Sequence, residues 1–76
     1  MRDSTDQALA SAIRRLRHKR GTTQEALALN AGMTVAALSR IERGQADPRW
    51  TTVRRITGGL EISLAELVGE VGDAAV

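Results

Sequence analysis

The sequence predicts an all-α domain, and three observations lead to this fold class. The 76-residue chain is 42% hydrophobic, but Trp50 is its one aromatic residue, and Ala, Leu, Val and Ile supply nearly all of the rest. Strands favour aromatic and β-branched residues, whereas helices favour Ala and Leu. Apolar residues recur at helical spacing in segments of roughly 8 to 15 residues, and Gly, Pro and capping residues separate the segments. A chain of this length forms one small domain.

The first helix is expected to begin near Ser4 or Thr5, because either hydroxyl can accept a hydrogen bond from the first turn. Gly21 is expected to end it in a left-handed conformation. The apolar stripe of this helix consists of Leu9, Ile13 and Leu16.

The second and third helices are each about two turns long in the sequence pattern. The second helix opens at Thr22, where Thr22-x-x-Glu25 has capping-box spacing, or at Thr23, which could cap instead. Gly32 is expected to end it, and Thr34 to cap the third helix.

The fourth helix is predicted to start at Pro48, because proline fits the first helical position, where its missing N–H is not needed. Trp50 is expected in the core or as a wedge between the third and fourth helices. The pair Gly58–Gly59 is expected to fray or stop the helix, since glycine is a poor helix former.

Ser63-x-x-Glu66 is a second capping box and predicts a short fifth helix. Residues 1–68 are therefore taken as the folded domain. Residues 69–76 are expected to form a disordered tail.

The second and third helices carry the spacing of a helix-turn-helix unit, over about residues 23–43. Ala28 is small where a second helix must cross it, and Gly32 permits a tight turn. Leu38 and Ile41, three residues apart, can anchor the third helix while its other face stays outward. Gln24 begins the unit.

From about Ile13 to Val68 the chain resembles the lambda-repressor-like helix-turn-helix regulators, also called the Cro and xenobiotic-response-element family. The run LSRIERG, residues 38–44, is the most specific part of the resemblance. The resemblance implies a compact five-helix DNA-binding domain in which helix 2 braces on the DNA backbone and helix 3 enters the major groove. It also implies a transcriptional regulator, of repressor or controller type, whose dimers read two half-sites of a palindromic operator.

Site residues follow from this resemblance and from the outward face of the third helix. Base contacts are expected from Val35, Ala36, Ser39 and Arg40. Arg40 is the long donor of this set and can bind guanine with two hydrogen bonds, whereas Val35 and Ala36 offer apolar contact, so DNA shape can contribute to recognition. Contacts to the DNA backbone are expected from Arg14, Arg17, Thr23, Gln24, Thr34 and Arg43.

The charges of the chain are segregated. Residues 14–55 hold ten basic and three acidic side chains, whereas residues 56–76 hold four acidic ones and no basic one. The basic part suits double-stranded DNA as the partner. Aliphatic residues near the acidic carboxyl end predict a homodimer through the region of the fourth and fifth helices, with an interface of Ile62, Leu64, Val68 and Val71.

Composition also excludes several classes of function. The absence of cysteine removes disulfides and thiolate metal sites, and one histidine, His18, cannot build a metal site alone. The sequence holds no set of nucleophile, base and orienting residue, so no enzyme activity, cofactor or small-molecule substrate is expected. Without an apolar run of membrane-spanning length or a signal-peptide pattern, the expected location is the cytoplasm, beside the nucleoid. The alternative function is an antitoxin or adaptor module that binds another protein through its C-terminal helices.

Overall fold

A computed structural model of the chain describes residues 4–75, together with the side chains of residues 7–72. This part of the chain folds into five helices and contains no strand. Their bounds are Ser4–Lys19 (α1), Gln24–Ala31 (α2), Val35–Glu42 (α3), Trp50–Leu60 (α4) and Leu64–Ala75 (α5). The all-α, five-helix prediction is confirmed. None of the described helices has the length and apolar content needed to cross a bilayer.

Two extensive helix pairs enclose the core, because α1 packs against α5 and α2 packs against α4. The largest apolar side chains with no more than 1% exposure come from the four helices α1 to α4, and they are Ile13, Leu27, Leu38 and Ile56. Each fully buried side chain of this size contributes about 1.5 to 3 kcal/mol through removal of apolar surface from water. The short helix α3 is therefore held by a core to which all its neighbours contribute.

The helix starts are fixed by side-chain caps. The Thr23 Oγ1 accepts a hydrogen bond of 3.0 Å from the backbone N–H of Ala26, so Thr23 rather than Thr22 caps α2. The Thr34 Oγ1 accepts a bond of 3.1 Å from the N–H of Ala37 and caps α3. Such caps stabilise a helix start by about 1 kcal/mol each.

The capping box predicted at the start of α5 is also present. The Ser63 Oγ accepts a bond of 3.1 Å from the Glu66 backbone N–H, and the Ser63 N–H donates back to the Glu66 carboxylate at 3.5 Å. These reciprocal bonds satisfy N–H groups that have no partner within the helix.

Helix α4 corrects two expectations. It begins at Trp50, with Arg49 as its N-cap, and not at Pro48, and it continues through Gly58 and Gly59 to Leu60, although these glycines were expected to fray or stop it. A Cβ at position 59 would lie 3.0 Å from Leu27 Cδ1 and 3.2 Å from the backbone nitrogen of Ala31. Gly59 therefore lets α4 approach α2 closely. Packing outweighs the low helix propensity of glycine here, since Leu60 beyond it is only 3% exposed.

Helix α5 extends beyond the domain boundary that the sequence placed at residue 68. It continues to Ala75, and within this extension Val71 packs against the core while Glu70 bonds to α1. Residues 69–75 are therefore helical where a disordered tail was expected. The last residue of that expected tail, Val76, lies outside the described residues.

Candidate nucleic-acid interface

Helices α2 and α3 are joined by a tight turn over residues 32–34. Gly32 has φ +69°, a left-handed conformation that glycine adopts without steric cost. The Met33 N–H then donates to the Ala28 carbonyl at 3.0 Å, which satisfies a carbonyl at the end of α2. Ala28 itself is 1% exposed. The small residue and the turn glycine thus occupy the positions that the spacing predicted.

Helix α3 has one buried and one exposed face. Leu38, Ile41 and Glu42 are buried. The opposite face is open to solvent, and of the predicted base contacts Val35, Ala36 and Arg40 are exposed while Ser39 is half-buried. The structure therefore brings all four predicted base-contact residues to one outward surface.

The predicted backbone contacts on the two short helices lie beside this surface. Thr23 and Thr34 are exposed and cap α2 and α3, and Arg43 is exposed directly after α3. Gln24 is half-buried, and its Nε2 donates to Glu42 Oε1 at 3.0 Å. Its side chain is therefore held at the junction between α2 and α3.

Glu42 is the centre of a bonded cluster that sequence reasoning missed. Its carboxylate receives two bonds from Arg17, with Nε 2.9 Å from Oε2 and Nη2 3.0 Å from Oε1. Arg17 also donates to the Thr22 carbonyl at 3.1 Å, and Arg14 donates to the Glu42 carbonyl. One signal in the sequence was available, since Glu42 follows Leu38 by four residues and so lies on the inward face of α3.

This cluster changes the interpretation of Arg14 and Arg17, which the sequence assigned to DNA phosphates. The Arg17 side chain is only 14% exposed, and its guanidinium bonds are made within the protein. Arg14 is half-buried and bonds to α3 and to Ser11. The two arginines therefore connect α1 to α3 and do not form an open basic surface.

Other cations of α1, and Arg20 directly after it, are engaged as well. Arg15 and Lys19 form ion pairs with Glu70 of α5, at 2.8 and 3.2 Å. The hydrogen bond from Arg15, followed by that from Lys19, lowers the pKa of the Glu70 carboxyl below its usual value. Arg20 donates to the Glu61 carbonyl. The basic sequence of the first helix is thus largely used to hold the helices together.

Uncommitted positive charge lies instead on α3, α4 and the loop between them. Five arginines there are exposed, and within the described part of the chain none of them forms an ion pair. They are Arg40, Arg43, Arg49, Arg54 and Arg55. The arginines that can attract a polyanion without giving up an ion pair in the described structure therefore lie on α3, on the loop after it and on α4.

A second surface, the apolar groove, runs between α1, α4 and α5 and encloses about 250 Å³. Trp50 lies in it and is 60% exposed, so the expectation of a core or wedge position for Trp50 was wrong. The other lining residues are Leu9, Val53, Leu64, Leu67, Val68 and Val71. Three predicted interface residues are thus in the apolar groove, whereas Ile62 lies in a different depression with Leu16 and Arg20.

The sequence matches one protein family, and several solved structures are similar to this fold. Residues 8–68 match the family described as "Helix-turn-helix domain". The uncharacterized HTH-type transcriptional regulator y4dJ of Sinorhizobium fredii is 35% identical over 60 residues, which cover 79% of this chain and 78% of that protein.

Solved structures have the same fold. A mutant of the restriction-modification controller protein C.Esp1396I superposes with a TM-score of 0.92 at 25% identity, covering 96% of this chain and 92% of that one. The controller protein C.AhdI from Aeromonas hydrophila gives 0.82 at 26% identity, covering 86% and 98%. The clp gene regulator ClgR from C. glutamicum gives 0.91 at 24% identity, covering 100% and 97%.

Proposed function

The chain belongs to the helix-turn-helix domain family, and from this membership we propose that it is a transcriptional regulator that binds double-stranded DNA sequence-specifically. The resemblance to the lambda-repressor-like regulators is thereby confirmed. The observation that carries the proposal is the two-faced α3, whose inner face is fixed by Leu38, Ile41 and Glu42 while its outer face is exposed beside uncommitted arginines. A helix of this kind fits the major groove of B-DNA.

In the proposed complex the exposed face of α3 reads the bases. Arg40 donates two hydrogen bonds to the O6 and N7 atoms of a guanine, which discriminates against other bases by about 1 to 3 kcal/mol. Val35 and Ala36 contact thymine methyl groups, and Ser39 bonds to a base edge. Recognition is then part hydrogen bonding and part apolar contact, with a contribution from DNA shape.

Contacts to the DNA backbone come from the ends of the two short helices. Thr23 and Gln24 present the start of α2 to one phosphate, and Thr34 and Arg43 flank α3. Gln24 uses one amide hydrogen on Glu42 and retains a second for a phosphate. Arg17 acts as a positioning residue for α3 and is not itself a phosphate contact.

We further propose that two copies of the chain associate through the apolar groove. Trp50 and Val68 are each 60% exposed and lie together in it, so a second copy would remove both from water. A two-fold dimer would set two α3 helices about 34 to 36 Å apart, one turn of B-DNA, and so match a palindromic operator. The regulator would act in the cytoplasm by occupying DNA, without catalysis or a cofactor.

The DNA proposal is tested by selecting bound duplexes from a random pool at physiological salt, with the wild type and with Arg40→Ala. We expect a palindromic motif from the wild type and loss of preference at one position per half-site from the variant. If a dimer neutralises about six phosphates, the logarithm of affinity falls with the logarithm of salt concentration with a slope near −5. A slope near zero, or no enriched motif, contradicts the proposal.

The dimer proposal is tested with Val68→Asp, which places a charge in the apolar groove. We expect sedimentation to give a monomer for this variant and a dimer for the wild type, with weaker operator binding by the monomer. Ala65→Asp is the control, because Ala65 is exposed on the same helix and does not line the groove. Equal masses for all three proteins would refute the assigned interface.

A further inference from the structure

The first turn of α3 presents apolar side chains to solvent. The helix begins at Val35, after the Thr34 cap. Val35, Ala36 and Ala37 are all exposed, and Ala37 was not among the predicted base contacts. None of these three side chains has a hydrogen-bond donor or acceptor. The exposed side chains of this turn can therefore recognise a base only through apolar contact.

The side chain that can form several hydrogen bonds to a base lies one turn further along α3. Arg40 is exposed and follows Ala36 by four residues, so the two residues lie on the same face of the helix. They are about 6 Å apart along the helix axis, whereas neighbouring base pairs are about 3.4 Å apart. In the major groove Ala36 and Arg40 are thus expected to meet different base pairs, about one or two steps apart.

Apolar contact selects a particular group on the base edges. In the major groove the edges of adenine, guanine and cytosine carry hydrogen-bond donors and acceptors, and thymine adds a methyl group at C5. An alanine methyl group packed against the thymine methyl removes apolar surface of both from water. Unmodified cytosine has no such group. In 5-methylcytosine, however, a methyl group occupies the same ring position as in thymine.

We infer that the first turn of α3 recognises the methyl group at C5 of pyrimidines, so that the protein distinguishes 5-methylcytosine from cytosine in its operator. This inference rests on the proposed function. Ala36 is the main contact because it shares the outward face with Arg40, and Val35 and Ala37 flank it. The C4 group is a carbonyl in thymine and an amino group in cytosine. Because the side chains of this turn cannot bond to either, 5-methylcytosine can take the place of thymine.

The test uses the full chain and the operator selected from random duplexes. The guanine that Arg40 binds is located by the Arg40→Ala selection, and the position tested is a thymine within about two base pairs of it. Four duplexes carry thymine, uracil, 5-methylcytosine or cytosine at this position of each half-site, each with its complementary base. Thymine and uracil differ only by the methyl group, as do 5-methylcytosine and cytosine. Within both pairs we expect about a fourfold higher affinity for each methyl group contacted.

Ala36→Gly separates direct contact from an effect of the base methyl groups on DNA shape. Glycine removes the contact and leaves the DNA unchanged, so the ratio of affinities within each pair is expected to fall toward one. Ala65→Gly is the matched control, because Ala65 is exposed and is the second residue of α5, as Ala36 is of α3. Both variants lose the same helix propensity. Ala65→Gly is expected to keep the wild-type ratios, and thermal unfolding shows whether each variant is folded in the binding assay.

The wild type alone can overturn the inference, whether or not the variants fold. Equal affinities within either pair of duplexes would do so, and so would a selected motif without thymine near the guanine of Arg40. A ratio that folded Ala36→Gly leaves unchanged would assign the effect to DNA shape and also overturn it. Failure of the wild type to bind any duplex would instead refute the proposed function.

Discussion

Arg17 and Glu42, 25 residues apart in the chain, form a two-bonded ion pair that joins α1 to α3. The two side chains are 14% and 2% exposed, so the pair is shielded from solvent. Glu42 also accepts a bond from Gln24 of α2, which brings three helices to one carboxylate. Glu42 is on the inner face of α3, so this bonding fixes the position and the rotation of α3 relative to α1 and α2. The outer face of the same helix carries Arg40.

Arg17→Ala is expected to destabilise the protein strongly. The substitution leaves the Glu42 carboxylate buried without its cation, and loss of one partner from a buried pair costs about 3 to 5 kcal/mol. Urea unfolding followed by circular dichroism measures the change in the free energy of unfolding. The control is Arg54→Ala, an exposed arginine outside any described ion pair, for which we expect a change within about 0.5 kcal/mol. Similar losses for the two variants would show that the pair contributes little.

Alanine substitutions at the two adjacent glycines of α4 are expected to change the stability of the protein in opposite directions. At Gly59 a Cβ meets the Ala31 backbone nitrogen at 3.2 Å, so Gly59→Ala overpacks the contact with α2 and costs about 1 to 3 kcal/mol. At Gly58 a Cβ meets nothing within 4 Å, so Gly58→Ala adds helix propensity and gains about 0.5 to 1 kcal/mol. Thermal unfolding of both variants tests the pair, and a shift of the same sign in both contradicts the packing argument.

Glu61→Gly is expected to stabilise the protein. Glu61 has φ +58°, the left-handed region that residues with a Cβ adopt only at a cost, and it is the C-cap of α4. Glycine removes that cost for a net gain of about 0.5 to 1 kcal/mol, or roughly 2 to 8 °C in melting temperature for a domain of this size. Arg20 bonds to the backbone carbonyl of Glu61, so the substitution preserves that acceptor. Glu61→Ala keeps the Cβ and is the control, and an equal gain from it would assign the effect to charge.

Local signals in the sequence predicted most of the helix bounds because those bounds depend on nearby residues. The Thr34 cap and the Gly32 turn are each satisfied by groups within four residues, so the pattern alone carried the information. The inward direction of Leu38 and Ile41 likewise follows from helical spacing. The exposed face of α3, which holds the candidate base contacts, was predictable for the same reason.

Features that depend on distant partners were not predictable in this way. The ion pair of Arg17 was not foreseen because its partner, Glu42, lies on another helix. Gly58–Gly59 looked like a helix end because propensity is local, whereas the contact of Gly59 with α2 is tertiary. Trp50 was expected in the core or as a wedge between the third and fourth helices, but the core is filled by aliphatic residues and Trp50 lies in the exposed apolar groove. As a result, the exposed arginines without an ion pair in the described structure are on α3, α4 and the loop between them, and not on α1.

The attachment of α5 to α1 is expected to weaken in acid through Glu70. Hydrogen bonds from Arg15 and Lys19 lower the pKa of Glu70 in the folded protein. Because the folded pKa is below that of the unfolded chain, the bonds stabilise the fold fully above about pH 4.3, the ordinary glutamate value, and are lost as the pH falls through the folded pKa. The melting temperature of the wild type should therefore exceed that of Glu70→Gln at neutral pH, and the difference should close as the pH falls below that value.

Scanning calorimetry of the two proteins from neutral pH to strong acid measures this difference directly. Added salt should reduce it at neutral pH, because the Arg15 and Lys19 side chains are solvent-accessible and their attraction to Glu70 is screened. Glu25→Gln is the control, since Glu25 is exposed and forms no ion pair in the described part of the chain. A difference between wild type and Glu70→Gln that persists unchanged in acid would mean that Glu70 holds α5 by packing of its side chain and not by its charge.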